Sequence, residues 1–313
     1  MSIIIVIVIG VLLAALLSLW LLGERWRPLR ASTRKMVREA GLRRLLTLNT
    51  LHGYIYNRWR NQYIYLAIRY AIPRLGPFGK RWWSNRYHSK VLTHEQAEAM
   101  ITIAHEIPLS DLEQIIPYST ARDLVLKGSR EVVVYECACR HARESSCQPT
   151  QVCMYISQPF SDFALEHNPK TSRRITREEA LELLKREHER GHVHSAWFKD
   201  ACIDRFYGLC NCCKCCCGGI EAMVKYGVPL MASSGYVSQA DKAQCSPCQI
   251  CEDACPFGAI RIEETVIVNR DICMGCGVCV EQCPMQALSL VRDEKKGTPL
   301  DVRLLARGQI EQV

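Results

Sequence analysis

The sequence predicts an α+β protein with a single N-terminal transmembrane helix, a mixed helical cysteine-rich domain and a small C-terminal domain organised by cysteines. Three observations carry this prediction: residues 3–22 are almost wholly apolar, 19 cysteines fall in clusters, and short apolar runs surround the first of these clusters. A chain of 313 residues is long enough for about two ordinary domains. The expected parts are 1–23, 24–90, 91–235, 236–295 and a C-terminal tail at 296–313.

The apolar run is long enough to cross a bilayer. Twenty residues at about 1.5 Å each make a helix of about 30 Å, which matches the hydrocarbon core of a membrane. A cleaved signal peptide is the alternative. It is disfavoured because no Lys or Arg precedes the run, the run exceeds the usual apolar length, and no small-x-small site follows it. The sequence therefore predicts a single-pass membrane protein.

The charges around this run predict its orientation. No basic residue precedes it, whereas six follow it closely: Arg25, Arg27, Arg30, Arg34, Lys35 and Arg38. The positive-inside rule then places the N-terminus outside and the rest of the chain in the cytoplasm. The cysteines agree, because near-vicinal thiols rarely meet disulfide geometry and suit metal binding in a reducing compartment.

The segment 24–90 is basic and aromatic. It carries 16 Lys or Arg against two Glu, whereas 91–313 carries 24 Lys or Arg against 30 Asp or Glu. Behind a membrane span this pattern favours helices on the bilayer, with cations at anionic headgroups and aromatic rings at the interface. Membrane lipid is thus an expected partner, an ordinary solvated basic region is the alternative, and nucleic acid is not expected. The aromatic residues are Tyr54, Tyr56, Trp59, Tyr63, Tyr65, Tyr70, Trp82, Trp83 and Tyr87.

Two stretches of the middle region predict regular structure. The β-branched run 131–136 indicates a short buried strand that leads directly into the first cysteines. Thr176 and Glu179 form a capping box for a helix that Gly191 would end. His192 and His194 follow, and two nearby histidines more often pack or form hydrogen bonds than bind metal.

The C-terminal region contains one cysteine pattern twice. The pattern C-x2-C-x2-C-x3-C-P occurs at Cys245, Cys248, Cys251 and Cys255, and again at Cys273, Cys276, Cys279 and Cys283. Zinc knuckles would leave the third cysteine and the Cys-Pro of each run unexplained. The pattern resembles that of bacterial two-cluster ferredoxins. The resemblance implies a ferredoxin-like domain with two [4Fe-4S] clusters, one on Cys245, Cys248, Cys251 and Cys283, the other on Cys273, Cys276, Cys279 and Cys255.

Eleven further cysteines lie upstream, in 137–153 and 202–217. Their order resembles a group of anaerobe iron–sulfur proteins that carry such a block before a ferredoxin module and have no established activity. The resemblance implies a further iron–sulfur cluster of unknown ligand partition, with zinc as the alternative, and it leaves Cys202 and Cys215 as extras. The matching residues are Cys137, Cys139, Cys147, Cys153, Cys210, Cys212, Cys213, Cys216 and Cys217.

These features predict a membrane-anchored iron–sulfur electron-transfer protein that works with redox partner proteins, such as a membrane complex. Two alternatives stay open: a redox enzyme subunit with a catalytic cysteine-ligated cluster, and a cluster-based redox sensor. Cys-Cys pairs also occur in heterodisulfide reductase, although the spacing here departs from that family. We find no catalytic triad, phosphate-binding loop or dinucleotide fingerprint in the sequence.

Overall fold

The structure is a computed structural model, and it describes residues 2–41, 48–102, 107–109, 124–126, 132–156, 158–203 and 205–303. A π turn spans Ala67–Ala71, and 3-10 turns span Ile72–Arg74, Asp200–Cys202 and Glu294–Lys296. The described α-helices are α1 (Ser2–Gly23), α2 (Ala31–Ala40), α3 (Leu48–Arg58), α4 (Arg60–Leu66), α5 (Pro77–Ser84), α6 (His94–Thr102), α7 (Ala138–His141), α8 (Phe160–His167), α9 (Arg177–Glu189), α10 (Gly218–Val224), α11 (Ile250–Ala254) and α12 (Val278–Glu281).

A seven-stranded sheet forms the centre of the molecule, in the order β6-β4-β5-β8-β7-β1-β9. Its neighbouring strands are antiparallel except for β1 and β9. Separate two-stranded ladders join β10 to β13, β11 to β12 and β2 to β3. The strands are β1 (Tyr87–Leu92), β2 (Ile107–Leu109), β3 (Leu124–Leu126), β4 (Val132–Glu136), β5 (Gln151–Tyr155), β6 (Ser172–Ile175), β7 (Val193–Lys199), β8 (Arg205–Cys212), β9 (Met231–Ala232), β10 (Tyr236–Ala240), β11 (Ile260–Ile262), β12 (Val266–Val268) and β13 (Leu288–Arg292).

Two predicted elements are confirmed. Strand β4 occupies the β-branched run, and α9 begins at the predicted capping box of Thr176 and Glu179. The expectation of a mixed helical cysteine-rich domain understates its strands, because the sequence pattern does not predict β7 and β8. Polar residues interrupt β7 (VHSAWFK), and glycine, asparagine and two cysteines interrupt β8 (RFYGLCNC), so neither sequence has the apolar alternation that marks a half-buried strand.

The large sheet separates two cores. Alternate residues of β4 point to opposite faces: Val133 and Tyr135 pack in the first core, Val132 and Val134 in the second. Helices α2, α3, α4, α8 and α10 cover the first core. Helices α6 and α9 cover the second. Seven of the upstream cysteines belong to the first core, so they lie between the sheet and the helices that follow α1: Cys137, Cys139, Cys153, Cys202, Cys210, Cys212 and Cys217.

The aromatic residues expected at a membrane interface are divided between interior and surface. Tyr54 and Tyr56 are buried in the first core, whereas Trp82 and Tyr65 are exposed. The Tyr56 hydroxyl lies 2.7 Å from the Tyr207 hydroxyl, which gives the buried polar tip a partner. Much of this basic aromatic segment therefore covers one face of the sheet.

Helix α1 is the longest described element and projects from the remainder. Its residues Ile4–Gly23 make a helix long and apolar enough to cross a membrane, and none of this window is buried within the structure. A signal sequence would pass the same test of length and composition. The finding is therefore one N-terminal apolar helix.

The C-terminal cysteine motifs lie in a small α+β unit. The ladder of β10 with β13 and the hairpin of β11 with β12 enclose α11, α12 and an apolar core that includes Val237 and Leu288. Part of the predicted tail 296–313 packs against the folded domain, because Leu300 and Val302 are buried in the second core. Residues 304–313 lie outside the described part of the chain.

Candidate metal centres

Four cysteines from both C-terminal runs line one small cavity of about 10 Å³: Cys245, Cys248, Cys251 and Cys283. The first three enter from the loop and first turns of α11, whereas Cys283 follows the end of α12. The fold thus brings together the four residues that the ferredoxin resemblance assigned to one cluster.

The remaining four cysteines of the two runs also lie together. The thiol of Cys276 is electrostatically influenced by Cys279, Cys255 and Cys273. Burial raises the pKa of Cys279 to about 12, as expected for a thiol removed from water and surrounded by other thiols. Cys255 therefore lies near the cysteines of the second run, although it belongs to the first run in sequence.

Backbone N–H groups are directed at the sulfurs of both sets. Such donors stabilise metal-bound thiolates and help to set the potential of a cluster. Together with the four-and-four grouping, they fit one [4Fe-4S] cluster at each set. The three donor–sulfur pairs are Ser238 N with Cys273 Sγ at 3.4 Å, Ala259 N with Cys255 Sγ at 3.2 Å, and Ala287 N with Cys283 Sγ at 3.4 Å.

Six of the upstream cysteines form a closed ring. Each thiol interacts with two others, and all six line one cavity of about 60 Å³, which Cys213 and Cys216 line as well. A water molecule needs roughly 10–15 Å³, so this cavity exceeds an ordinary packing defect. Around the ring the order is Cys137, Cys139, Cys217, Cys212, Cys210, Cys153 and back to Cys137.

The sheet explains why these six meet. Cys210 and Cys212 are two residues apart on β8, so their side chains share a face. Cys153 lies on the neighbouring strand β5, and β4 ends immediately before Cys137. Cys217 is the N-cap residue of α10 and closes the ring from the helical side.

Protons are shared unevenly within this six-cysteine ring. Hydrogen bonds from Cys139 and Cys153 lower the pKa of Cys137 well below its usual value. Hydrogen bonds from Cys210 and Cys217 lower the pKa of Cys212 to about 6. Two opposite members of the ring are thus disposed to be thiolates, the form that binds metal.

Two arginines beside the ring carry buried positive charge. Arg60 and Arg140 both line the cavity, and the Nε atom of each is buried without a hydrogen-bond partner among the described residues. Arg140 also donates from Nη2 to Glu187 Oε2 at 2.7 Å. Glu187 thus compensates Arg140, whereas the contacts of Arg60 are to neutral tyrosines. Because an unpaired buried charge is costly, this cavity fits an anionic, thiolate-bound group rather than a neutral one.

Four other thiols form a tighter group near the surface. The Sγ atoms of Cys147, Cys213, Cys215 and Cys216 all lie within 4.8 Å of one another. Cys215, which the sequence pattern left as an extra, is 3.0 Å from Cys147 and 3.4 Å from Cys216. The signal that could have revealed it is its place between the matching Cys213 and Cys216 on one short loop. The other extra, Cys202, lies apart and contacts Asn57 Nδ2 at 3.7 Å.

Three histidines also lie close together, but their geometry does not suit a shared ion. His94 Nδ1 is 3.2 Å from His194 Nε2, while the rings of His94 and His188 stack at 4.4 Å with 13° between their planes. Nearly parallel rings direct their in-plane lone pairs in parallel, so these do not converge on one atom. His192 and His194 have separate partners, Glu187 and Asn211.

Comparison with protein families identifies part of this region. Residues 266–289 match the family of the 4Fe-4S binding domain. The matched window contains Cys273, Cys276, Cys279 and Cys283, so the chain contains a 4Fe-4S binding domain at its C-terminal end. A comparison with curated proteins gives no match.

Proposed function

We propose that this chain is a membrane-anchored electron-transfer protein with two [4Fe-4S] clusters in its C-terminal unit and a further iron–sulfur cluster in the six-cysteine ring. The observation that carries the proposal is the exchange of fourth cysteines. Cys283 lines the cavity of Cys245, Cys248 and Cys251, and Cys255 lies with the other run. Separate zinc knuckles would require no such exchange.

The bound clusters would supply one-electron oxidation and reduction. The protein's part is to hold the thiolates, donate backbone N–H groups to them and control their access to solvent. Cys248 is exposed and Cys245 is half-buried, so the first set faces a surface where a redox partner protein can approach. Cys276 is buried and packs in the first core, the core that contains the ring. The first set thus lies at the surface and the second set lies toward the ring, an arrangement that suits stepwise electron transfer from a partner protein to the ring.

The six-cysteine ring supports a third cluster by its charge balance and its enclosure. Arg60 and Arg140 offset the negative charge of thiolates, and aromatic side chains exclude water from the cavity. The ring supplies more thiols than the four that a cubane requires. The enclosing residues include Tyr56, Tyr63, Tyr87, Tyr135, Trp197 and Tyr207.

The junction after α1 supports a retained anchor rather than a removable signal. The Gly23 carbonyl accepts a hydrogen bond from Arg58 Nε at 3.0 Å. Glu24 is fully buried and accepts hydrogen bonds from Thr33 Oγ1 and the Tyr54 hydroxyl, both at 2.8 Å. The end of the apolar helix is thus built into the folded domain.

Iron and acid-labile sulfide, counted on anaerobically purified full-length protein, test this proposal. We expect about eight iron atoms per chain from the C-terminal unit and additional iron from the ring. Cys212→Ser should lose iron above eight while the electron paramagnetic resonance (EPR) signals of the C-terminal clusters remain. Cys202→Ser, at a buried thiol outside every group, is the matched control. Fewer than about eight iron atoms in the unchanged protein would refute the two-cluster unit.

A further inference from the structure

We propose that Cys147, Cys213, Cys215 and Cys216 bind one thiophilic divalent ion, zinc or ferrous iron, at a site of their own beside the six-cysteine cavity, whose wall Cys213 and Cys216 also line. The site is named here the four-thiol site. It goes beyond the electron-transfer proposal, because a mononuclear ion held by four thiols contains no sulfide.

The spacing of the four sulfurs matches one ion. A tetrahedral zinc site with bonds of about 2.3 Å places its sulfurs about 3.8 Å apart. All four Sγ atoms here lie within 4.8 Å of one another, and two neighbouring distances are 3.0 Å and 3.4 Å. A cubane holds each thiolate on a different iron, so its ligands must stand much farther apart. The four-thiol site has no room for four irons and four sulfides.

The other cysteines provide an internal comparison. In the described part of the chain, neither the eight C-terminal cysteines nor the six-cysteine ring contains three Sγ atoms mutually within 4.8 Å. The sulfurs of these two groups are more widely spaced, as the ligands of an iron–sulfur cluster must be. The compact spacing is therefore particular to the four-thiol site and is not a general property of thiols in this molecule.

Local contacts hold the two contributing loops together. Cys147 lies between α7 and β5, and the other three ligands lie between β8 and α10. The Cys147 backbone N–H donates to Cys216 Sγ at 3.4 Å, and Arg143 Nε donates to the Cys216 carbonyl at 3.1 Å. Four thiolates on a divalent ion carry net negative charge, and the nearby Arg143 guanidinium, which Glu221 holds in an ion pair, offsets part of it.

The position of the four-thiol site indicates a structural role. Four protein ligands complete a tetrahedron and leave no open position for a substrate. Lys214, between two of the ligands, donates from Nζ to the Asp253 carbonyl in α11 at 2.6 Å. An ion here would fix the loop between β8 and α10, which contacts the C-terminal unit through Lys214.

The test uses full-length protein purified anaerobically in detergent, with zinc, iron and acid-labile sulfide measured per chain. We expect one zinc, with four sulfur neighbours and no iron neighbour in zinc-edge X-ray absorption. If the ion is iron, we expect instead one iron in excess of sulfide and the EPR signal of a mononuclear tetrathiolate after oxidation. Cys215→Ser, at an exposed position, and Cys147→Ser should each lose this ion with sulfide unchanged. Cys202→Ser should retain it.

Two results would overturn the assignment. One is a loss of sulfide together with metal in Cys215→Ser, which would make these thiols cluster ligands. The other is the absence of any mononuclear ion, even after incubation with excess Zn²⁺ or Fe²⁺. The EPR signals of the C-terminal clusters, recorded on the same samples, show separately whether the electron-transfer proposal fails.

Discussion

At the scale of single residues, Gly275 shows how closely the second cluster loop fits its surroundings. It lies between Cys273 and Cys276 with φ of +62°, in the left-handed region. A Cβ atom at this position would stand 2.2 Å from the Tyr236 carbonyl oxygen and 2.4 Å from Ser234 Oγ. Backbone cannot retreat as a flexible side chain can, so only glycine fits this position.

We therefore expect Gly275→Ala to disrupt the second set of ligands and to lower the iron content by about four atoms per chain. Gly258→Ala is the matched control, because Gly258 has φ of +67° but open space where a Cβ would stand. Its left-handed backbone alone should cost about 1–2 kcal/mol, and its iron content should be retained. Iron counting with EPR of the reduced proteins measures both. Equal iron content in the two variants would contradict the close fit.

The sequence predicts the ligand sets of the C-terminal runs but not those of the upstream cysteines. Within the C-terminal runs, the resemblance to two-cluster ferredoxins, which rests on the cysteine spacing, implies the grouping that the fold displays. The upstream sets depend on which strands become neighbours. Cys153 meets Cys210 only because β5 pairs with β8, and no local pattern encodes that pairing. Nothing in the local sequence distinguishes Arg60, which lines the cavity, from the other basic residues of 24–90.

At the scale of elements, helix α1 carries the prediction about the membrane. We expect the full-length chain to keep residues 2–23 and to remain in membranes during alkaline carbonate washing. Leu12→Arg should weaken this retention, because an arginine near the helix centre costs about 2.5–3.5 kcal/mol on insertion. Leu12→Ile is the matched control. Release of the unchanged protein, or an intact mass that lacks the helix, would show a removable signal instead.

Local signals identified some elements and missed others for a physical reason. The helix at Thr176 and the strand before Cys137 have strong local determinants, a capping box and a β-branched run. Strands β7 and β8 owe their place to tertiary burial. All of Val193–Lys199 is buried, including Lys199, whose charge would suggest an exposed strand. Its Nζ lies 4.6 Å from the Tyr87 ring centre, a cation–π contact that only the fold creates.

At the scale of the whole molecule, the basic segment 24–90 connects the apolar helix α1 to the cysteine-rich interior. The basic segment that composition placed on the bilayer also forms one wall of the six-cysteine cavity, because Tyr56, Arg60 and Tyr63 line it. Composition reveals the charge and aromatic content of this segment, but it does not reveal that the segment covers the six-cysteine cavity. The C-terminal unit joins the upstream domain through contacts such as Gln282 Nε2 with the Glu189 carbonyl, at 2.9 Å.

The central claim is that the two C-terminal clusters exchange their fourth ligands. The most direct test records EPR and Mössbauer spectra of four serine variants of the full-length protein, purified anaerobically. Cys283→Ser should perturb the same cluster signal as Cys245→Ser, and Cys255→Ser the same signal as Cys273→Ser. If Cys283→Ser instead perturbs the signal that Cys273→Ser perturbs, each run holds its own cluster and the account is contradicted.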